Sequence, residues 1–235
     1  MNSDKLAYNL LKGVNRAARE FDLLAAGDRV AVGVSGGKDS RALLDLLARG
    51  VDIPGEYRVV AIHIDGSEVG LPDLRPALAP WFRELDVEHV FAPLAVSEDE
   101  PLPMDCFRCA WNRRKALFFA ADAAGCNKVA LGHHADDAAV TTLMSLLYKG
   151  QVETLPPSQD YFEGRFTLIR PLIYLAEKDI IRYARACGWE LPPEPTCPRE
   201  ETSRRVTIER FLASFTAREQ QQFRANLWNV STQSR

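Results

Sequence analysis

The sequence predicts an α/β fold built on a doubly wound, parallel five-stranded sheet with helices on both faces. Short β-branched runs alternate along the chain with segments of helical periodicity, and this alternation is typical of parallel sheets. A glycine-rich turn follows the first run, as expected where a buried strand leads into a helix. With 235 residues, 46% of them hydrophobic and 26% charged, the chain has the composition of a globular protein.

Individual elements are predicted from apolar spacing and from the turn residues at their ends. β-branched and apolar residues dominate five predicted strands, at 29–34, 57–65, 87–94, 128–132 and 166–172. Apolar residues recur at spacings of three and four in the predicted helices, at 4–22, 40–50, 72–85, 107–125, 136–150 and 176–188. Proline-containing stretches at 93–105, 150–165 and 190–205 are predicted as loops.

This order of elements divides the chain into three parts. Residues 1–27 are predicted to form a helix that packs on the sheet, residues 28–189 the α/β domain, and residues 190–235 a cysteine-bearing loop with a C-terminal helical tail. No apolar run approaches the roughly 18 residues of a membrane span, and the N-terminal segment mixes acids with bases, unlike a signal peptide. We therefore expect a cytoplasmic protein with no membrane partner.

Charge and cysteine content limit the partners and the redox chemistry. The net charge of −3 argues against a surface that binds nucleic acid everywhere, although it leaves room for a local basic patch. Five cysteines, an odd number in a chain of this length, do not suit a disulfide framework. Free thiols or metal ligands are therefore expected.

The stretch GVSGGKDS lies between the first strand and the following helix, where α/β sheets bind ligands. Ser35, Gly36 and Gly37 can present backbone N–H groups, the helix N-terminus adds a positive dipole, and Lys38 adds a cation. The spacing matches neither the Walker loop nor the dinucleotide-binding loop. The stretch predicts a polyphosphate or pyrophosphate site, against the alternative of a glycine-rich turn with a surface lysine.

A second polar stretch, GHHADD, begins where the fourth predicted strand ends. Gly132 permits close backbone approach, and His133, His134, Asp136 and Asp137 lie within one turn. Adjacent histidines cannot easily chelate one zinc ion from one helix face, whereas aspartates suit a helix N-terminus. Alone, the stretch could be a capped helix with solvated histidines; beside the phosphate loop, a nucleotide or Mg²⁺ role is favoured.

Cys106 and Cys109 form a C-x-x-C pair at the start of a basic predicted helix, and Cys197 lies far along the chain in a proline-rich segment. Nearby cations and a helix N-terminus favour thiolates. Three thiolates can hold an iron–sulfur cluster with one iron left open, a fourth ligand would complete a structural zinc site, and a dithiol could form a disulfide. From the residues alone, a structural zinc site and an iron–sulfur cluster are comparably well supported.

The SGGKDS string resembles the PP-loop of the ATP pyrophosphatases, which cleave ATP between the α and β phosphates. The order C-x-x-C, RR helix, GHHADD, RPL and a late cysteine resembles the tRNA 2-thiocytidine synthetase (TtcA-like) family, from about residue 5 to residue 215. This resemblance implies an adenine nucleotide alpha hydrolase-like (HUP-type) fold. It also implies an ATP-dependent sulfurtransferase that adenylates a pyrimidine carbonyl, at C2 of a tRNA cytidine, releases pyrophosphate and delivers sulfur from a [4Fe-4S] cluster.

The resemblance assigns residues to each part of this reaction. The cluster ligands would be Cys106, Cys109 and Cys197. The catalytic residues would be Lys38, Arg113 and Asp137, with Mg²⁺ as a further cofactor. ATP would be held by Ser35, Gly36, Gly37, Lys38, Asp39, Ser40, His63, Ile64, Asp65, Gly132, His133 and Asp137.

Several assigned residues have structural alternatives. Asp39 could cap a helix instead of binding Mg²⁺, the residues of the second strand could belong to the core, and Arg113 and Asp137 could form simple salt bridges. Arg170 of the RPL stretch could contact substrate or the sheet edge. Cys126 and Cys187 match no family ligand and are expected to be buried structural thiols.

Two basic groups could form one RNA-binding mouth near the cysteines. They are Arg108, Arg113, Arg114 and Lys115, and Arg199, Arg204, Arg205 and Arg210. Glutamates interleave the second group, so a solvated helix is its alternative. The family's GxxxxMPPK loop appears here as GQVETLPPSQ, with Ser158 in place of the lysine.

The implied partners are tRNA and a sulfur donor such as a cysteine desulfurase or inorganic sulfide, and the terminal helices could build a homodimer. Three other functions remain open at this stage. They are a PP-loop amidating or lysidine-type ligase with a structural zinc, a thiolation enzyme that acts on a small heterocycle, and an adenine-nucleotide-binding regulator without enzymatic activity.

Overall fold

A six-stranded sheet organises the computed structural model, which describes residues 2–97, 104, 106–189 and 204–233. The strands are β1 (Arg29–Gly33), β2 (Arg58–Asp65), β3 (Glu88–Pro93), β4 (Lys128–Ala130), β5 (Ser158–Tyr161) and β6 (Phe166–Ile169). Their order across the sheet is β3-β2-β1-β4-β6-β5. Neighbouring strands are parallel except β5, which is antiparallel to β6. The chain therefore reverses its direction of winding between β1 and β4, where such sheets bind ligands.

Helices flank this sheet. They are α1 (Ser3–Glu20), α2 (Lys38–Ala48), α3 (Arg75–Glu84), α4 (Cys106–Ala123), α5 (Ala135–Lys149), α6 (Glu177–Ala186), α7 (Arg204–Ala213) and α8 (Ala217–Gln233). Both α7 and α8 pack against α5. None of the helices in the described parts of the chain is long and apolar enough to cross a membrane.

Two hydrophobic clusters lie on opposite faces of the sheet. Residues of α1, α2, α3 and α6 form one cluster with Val30 and Val32 of β1. Residues of α4 form the other cluster with Ala31 of β1, Ile62 of β2 and the β6 strand. Successive strand residues point to opposite faces, so this division follows directly from the alternation along β1. Helix α4 is thus the main cover of its face and reaches the carboxyl ends of the strands.

The predicted strands and helices are confirmed, but the sheet has six strands instead of the predicted five. The additional strand is antiparallel and lies in a stretch predicted as a loop. Residues 150–165, predicted as a loop, contain the edge strand β5. Its sequence, SQDY, has no apolar alternation, and Gln159 and Asp160 are exposed. An edge strand that bonds through one side needs no buried face, so hydrophobic periodicity does not reveal it.

The apolar face predicted for the first helix is confirmed. Leu6, Leu10, Val14 and Ala17 of α1 are all buried in the larger cluster. Helix α3 contains two prolines. Pro76 lies in the first turn, where the missing N–H has no intrahelical partner, whereas Pro80 lies inside the helix and removes one intrahelical hydrogen bond. The division of the chain into three parts stays a prediction.

Gly132 follows β4 at a point where two backbone segments nearly touch. A Cβ atom at this position would lie 2.9 Å from the carbonyl carbon of Asp39 and 3.0 Å from the backbone nitrogen of Ser40. Side chains can rotate away from such a clash, but the first turn of α2 cannot move without disturbing β1. The close backbone approach predicted at Gly132 is therefore an approach to α2 itself.

We predict that Gly132→Ala lowers the free energy of unfolding by about 1–3 kcal/mol, the usual cost of overpacking. Gly13→Ala is the matched control, because its new Cβ would meet only the flexible tip of Leu175, at 2.5 Å from Cδ2. Alanine is also the better residue inside a helix. Urea unfolding measures both variants, and equal losses would contradict the proposed backbone clash.

Candidate functional site

A cleft of about 530 Å³ opens beyond the carboxyl ends of β1, β2 and β4. Its walls come from the turn after β1, the end of β2, the segment after β4 and one face of α4. Leucines and a proline supply an apolar side near the end of β2, including Leu71, Pro72 and Leu74. The predicted site residues that line it are Ser35, Gly37, Lys38, Asp39, His63, Ile64, Arg113 and His133.

The turn after β1 is held in shape by its own hydrogen bonds. The Ser40 hydroxyl donates to the Gly37 carbonyl at 2.9 Å and accepts from the Ser35 backbone N–H at 3.2 Å. Gly36 has a φ of 90°, which glycine adopts without strain. Within the described residues, no acceptor receives the backbone N–H groups of Gly36, Lys38 or Asp39. These donors, at the start of α2, form a site for an anion.

Lys38 is held between two carboxylates at the mouth of this turn. Its Nζ lies 2.8 Å from Oε1 of Glu177 and 3.1 Å from Oδ2 of Asp39. Burial alone would lower the pKa of Lys38, but Asp39 and Glu177 more than offset burial, so the pKa is raised. The lysine is therefore charged and already partly desolvated before any ligand arrives.

Asp39 presents an oxygen that lacks a hydrogen bond in the described part of the chain, although Nε2 of His134 lies 3.6 Å from it. Its Oδ1 is buried and accepts no hydrogen bond within the described residues. Burial raises the pKa of Asp39, even though His134 and Lys38 favour the charged form. An unsatisfied carboxylate oxygen beside an anion site has the chemistry of a Mg²⁺ ligand. The arrangement thus fits the predicted role of Asp39 better than a helix cap.

Beside the cleft, the neutral side chain of His133 contacts the cationic side chain of Arg170. Burial lowers the pKa of His133 to about 4, and the nearby Arg170 and Arg205 add to this effect. Arg170 Nε donates to Nδ1 of His133 at 3.3 Å, so the ring proton belongs on Nε2. Arg170 also donates to the Pro156 carbonyl, and its burial lowers its pKa to about 10. Of the two predicted roles for Arg170, the structure shows the contact with the sheet edge.

The two aspartates after β4 are each bound by an arginine from the C-terminal helices. Arg205 of α7 pairs with Oδ1 of Asp137, and Arg224 of α8 lies 2.6 Å from Oδ1 of Asp136. The second oxygen of Asp137 accepts from the His134 backbone N–H at 2.9 Å. Burial would raise the pKa of Asp137, but His134 and Arg205 more than offset it, so the pKa is lowered.

This pairing bears on the predicted RNA-binding mouth. Arg205 pairs with Asp137 and Glu209 while its side chain stays 41% exposed, so its charge is already partly compensated. Arg204 lies over the Tyr148 ring at 4.7 Å, and Arg210 is exposed. Arg199 lies outside the described residues.

The polar side chains at the end of β2 form hydrogen bonds and an ion pair within the protein, which the sequence did not predict. His63 donates from Nδ1 to the Val34 carbonyl at 2.7 Å, and burial lowers its pKa. Asp65 accepts from the Ser67 backbone N–H at 2.9 Å and pairs with Arg75 at 3.1 Å. Asp65 does not line the cleft and its carboxylate holds the turn after β2, so the ribose or metal contact stays a prediction. His63 still presents Nε2 to the cleft as an acceptor.

The predicted cluster ligands are only partly described. Cys109 is a free, half-buried thiol one turn into α4, next to Ala110, which lines the cleft. The side chain of Cys106 and all of Cys197 lie outside the described residues, and the described residues contain no group of three metal-ligating side chains. The ligand set therefore stays a prediction. Cys126 is fully buried in the core, and burial raises the pKa values of Cys126 and Cys187.

Two residues of the site were missed from the sequence. Glu177, which pairs with Lys38, begins α6, and Arg224, which pairs with Asp136, lies in α8. An acid in the first turn of a helix is expected for the helix dipole alone, and an arginine in a polar helix is expected on its solvated face. Neither residue therefore carried a signal of its own in the sequence.

No protein-family model matches the chain. The tRNA-cytidine(32) 2-sulfurtransferase of Anaeromyxobacter dehalogenans (strain 2CP-C) is 37% identical over 221 residues, which cover 91% of this chain and 75% of the relative. The protein of the same name from Bordetella avium (strain 197N) is 32% identical over 234 residues, which cover 97% and 72%. The solved U34-tRNA thiolase NcsA from Methanococcus maripaludis, with its [4Fe-4S] cluster, has a TM-score of 0.77 at 23% identity, over 96% of this chain and 80% of that one. This likeness confirms the predicted fold class.

We predict that Arg205→Gln lowers the free energy of unfolding by about 1–2 kcal/mol at neutral pH, because it removes a charged partner from Asp137. The lowered pKa of Asp137 means that its ionised form stabilises the fold above the ordinary aspartate range and ceases to do so as the pH falls through the folded pKa. The difference from the wild type should therefore shrink below about pH 4.

Arg204→Gln is the matched control, because Arg204 contacts an aromatic ring at 4.7 Å and forms no ion pair among the described residues. Urea unfolding across a pH series gives both differences. A loss for Arg205→Gln that stays constant through the acidic range would contradict the pairing with an ionised Asp137.

Proposed function

This chain belongs to the tRNA-cytidine(32) 2-sulfurtransferase family, and we propose that it uses ATP to replace the C2 carbonyl oxygen of a tRNA cytidine with sulfur. One observation carries the proposal. A single cleft joins the SGGKDS turn, His133 and Arg113, and Arg113 lies on the same helix as Cys109. Carbonyl activation and sulfur delivery must meet at one carbon, so the main task of the enzyme is positioning.

The first step is adenylation of the carbonyl oxygen. The oxygen bonds to the α-phosphorus of ATP while the bond to the β-phosphate oxygen breaks, and pyrophosphate leaves. The unpaired N–H groups of Gly36, Lys38 and Asp39 would bind the departing phosphates. Lys38 would exchange the Glu177 carboxylate for a phosphate oxygen, at little further desolvation cost, because it is already partly buried.

The adenine would occupy the apolar side of the cleft at the end of β2. Ile64, Leu71 and Leu74 supply apolar contacts there, and His63 presents Nε2 as an acceptor. An acceptor of this kind suits the exocyclic amino group of adenine. Of the residues predicted at the end of β2, His63 and Ile64 would thus contact the adenine, and this step of the proposal does not use Asp65.

A magnesium ion would be held by Asp39, whose buried Oδ1 accepts no hydrogen bond from any described residue. When bound, Mg²⁺ would offset charge on the leaving pyrophosphate. Arg113 lines the cleft and would offset charge near the α-phosphorus. Arg205 and the His134 backbone N–H already contact both oxygens of Asp137. Asp137 would therefore affect the reaction indirectly, by positioning these two groups.

The second step is displacement of AMP by a sulfide. A carbon–sulfur bond forms at C2, the carbon–oxygen bond breaks, and the original carbonyl oxygen leaves with AMP, without net oxidation. Cys109 has the donor chemistry and the place for this supply, because its thiol is free and adjoins the cleft wall. A [4Fe-4S] cluster on Cys106, Cys109 and Cys197 would supply an iron without a protein ligand, where a sulfide can be held.

The remaining partners follow from this reaction. The acceptor would be tRNA, and the sulfur would come from a cysteine desulfurase or from inorganic sulfide. The cytoplasm would supply both tRNA and ATP. A homodimer through the terminal helices is part of the proposal, and its test is the mass of the protein in solution.

We predict that the anaerobically purified chain releases pyrophosphate from ATP only when tRNA is present, and that 2-thiocytidine then appears in the digested tRNA. Lys38→Met should lower kcat by about 100-fold, because it removes a cation from the leaving group. Lys178→Met is the matched control, since this exposed lysine adjoins Glu177 but does not line the cleft. Pyrophosphate release without any thionucleoside would favour a ligase and contradict the proposal.

We predict that Cys109→Ser abolishes the brown colour and most of the iron and acid-labile sulfide of the anaerobic protein. Cys187→Ser is the matched control, because Cys187 is also free and half-buried but contacts Tyr183 in the core. Iron, sulfide and zinc analysis gives the result independently of activity. A colourless wild-type protein with stoichiometric zinc would contradict the cluster.

A further inference from the structure

Helix α4 exposes a row of aromatic and basic side chains next to the face that lines the cleft. We call this row the α4 stripe; its members are Phe107, Trp111, Lys115 and Phe119, which follow one another at every fourth position. Phe107 is 77% exposed, Trp111 49% and Phe119 66%. Residues four apart lie on one side of a helix, about 6 Å apart along its axis.

The stripe is organised by contacts between its cation and its rings. Lys115 Nζ lies 5.3 Å from the centroid of the Trp111 ring and 5.8 Å from that of Phe119. Arg108 also lies over the Trp111 ring, at 5.8 Å from its centroid. Trp111 is therefore a half-exposed ring with two cations beside it.

Basic residues predominate around the stripe, and the acid of α4, Asp122, lies three residues after Phe119 and pairs with Arg165. From Cys106 to Ala121 the helix contains Arg108, Arg113, Arg114 and Lys115 but no acid. In the part of the chain that the structure describes, Arg113, Arg114 and Lys115 form no ion pair, whereas Arg205 and Arg224 are bound to the site aspartates. Three cations without an ion pair among the described residues therefore lie together on α4, and two of them, Arg113 and Arg114, line the cleft.

The stripe also lies beside the entrance to the cleft. Ala110, Arg113 and Arg114 of the same helix line the cleft, and Trp111 and Lys115 are their direct neighbours in sequence. An RNA strand that inserts one base into the cleft must leave its next nucleotides close to α4. Unpaired RNA bases are commonly held by stacking on aromatic rings, with phosphates bound by nearby cations.

We propose that Trp111 stacks on an unpaired RNA base next to the modified nucleotide, while Lys115 contacts its phosphate. This inference rests on the proposed function and names the surface that binds the tRNA. A second copy of the chain is a poorer occupant, because a two-fold interface through this helix would oppose four cations to the same four cations. Exposed rings interleaved with cations suit a polyanion with flat bases.

The test compares tRNA binding and thiolation by full-length variants. Trp111→Leu should raise the Kd and the KM for tRNA by about 5- to 100-fold, whereas Trp111→Phe, which keeps a stacking ring, should stay near the wild type. Lys115→Gln should weaken binding and reduce the slope of log K against log salt by about 0.7, the value for one phosphate contact on a single strand.

Tyr8→Leu and Lys12→Gln are the matched controls. Tyr8 is 63% exposed on α1, and Lys12 lies four residues on with its Nζ 4.6 Å from the ring centroid, so the pair copies the stripe away from the cleft. Both control variants should bind tRNA as the wild type does. Iron and sulfide contents of the Trp111 variants show that any loss of binding is not a loss of the cluster.

The outcomes separate this inference from the proposed function. If the wild type thiolates tRNA but Trp111→Leu binds it no more weakly than Tyr8→Leu, the inference is overturned and the function stands. The same holds if Trp111→Leu changes the mass of the protein in solution but leaves tRNA affinity intact, because a second copy then covers the stripe. If the wild type neither binds nor thiolates tRNA, both proposals fall.

Discussion

The crowding of three partly buried carboxylates in one small volume is the constraint around which this site is built. Asp39, Asp136 and Asp137 meet where β1 and β4 end, and the charge of Asp137 itself disfavours ionisation of Asp39. Buried like charges are tolerated only when cations or hydrogen bonds compensate them. His134 lies within 3.4 to 3.7 Å of an oxygen of each aspartate. Lysine and arginine side chains from α2, α7 and α8 complete the compensation, so these helices converge on the site for electrostatic reasons.

This charge balance explains how one cleft can admit a polyphosphate. Lys38 is paired with Glu177, and both groups keep access to solvent at the cleft. A phosphate can replace that carboxylate without the lysine being desolvated again, and the amide groups at the start of α2 add donors that nothing else occupies. Asp39 offers its buried Oδ1 at the same point, where a divalent cation would offset the added negative charge. The family assignment and the geometry of this turn thus agree on ATP chemistry.

Helix α4 connects the parts of the proposed reaction. Its inner residues pack against the sheet in the smaller core cluster, and its cleft face carries Arg113 and Arg114. Its first turn carries Cys109, and its remaining face presents exposed rings among cations. One rigid helix can therefore hold the activated carbon, the sulfur supply and the RNA strand in a constant relation. Rigid placement of this kind is more accurate than placement by loops.

Local patterns in the sequence determined the alternating elements, the phosphate-binding turn and the GHHADD turn, because glycine spacing, periodicity and charge at helix ends act over a few residues. The edge strand β5 was not predicted, because its polar residues follow no such pattern. The ion-pair partners of the charged groups could not be predicted from the sequence either. Arg205 was assigned to an RNA-binding mouth or a solvated helix, and Arg224 and Glu177 carried no signal; the fold pairs them with Asp137, Asp136 and Lys38. Only tertiary packing decides such pairs, because electrostatic compensation depends on distance in space and leaves no periodic trace along the chain.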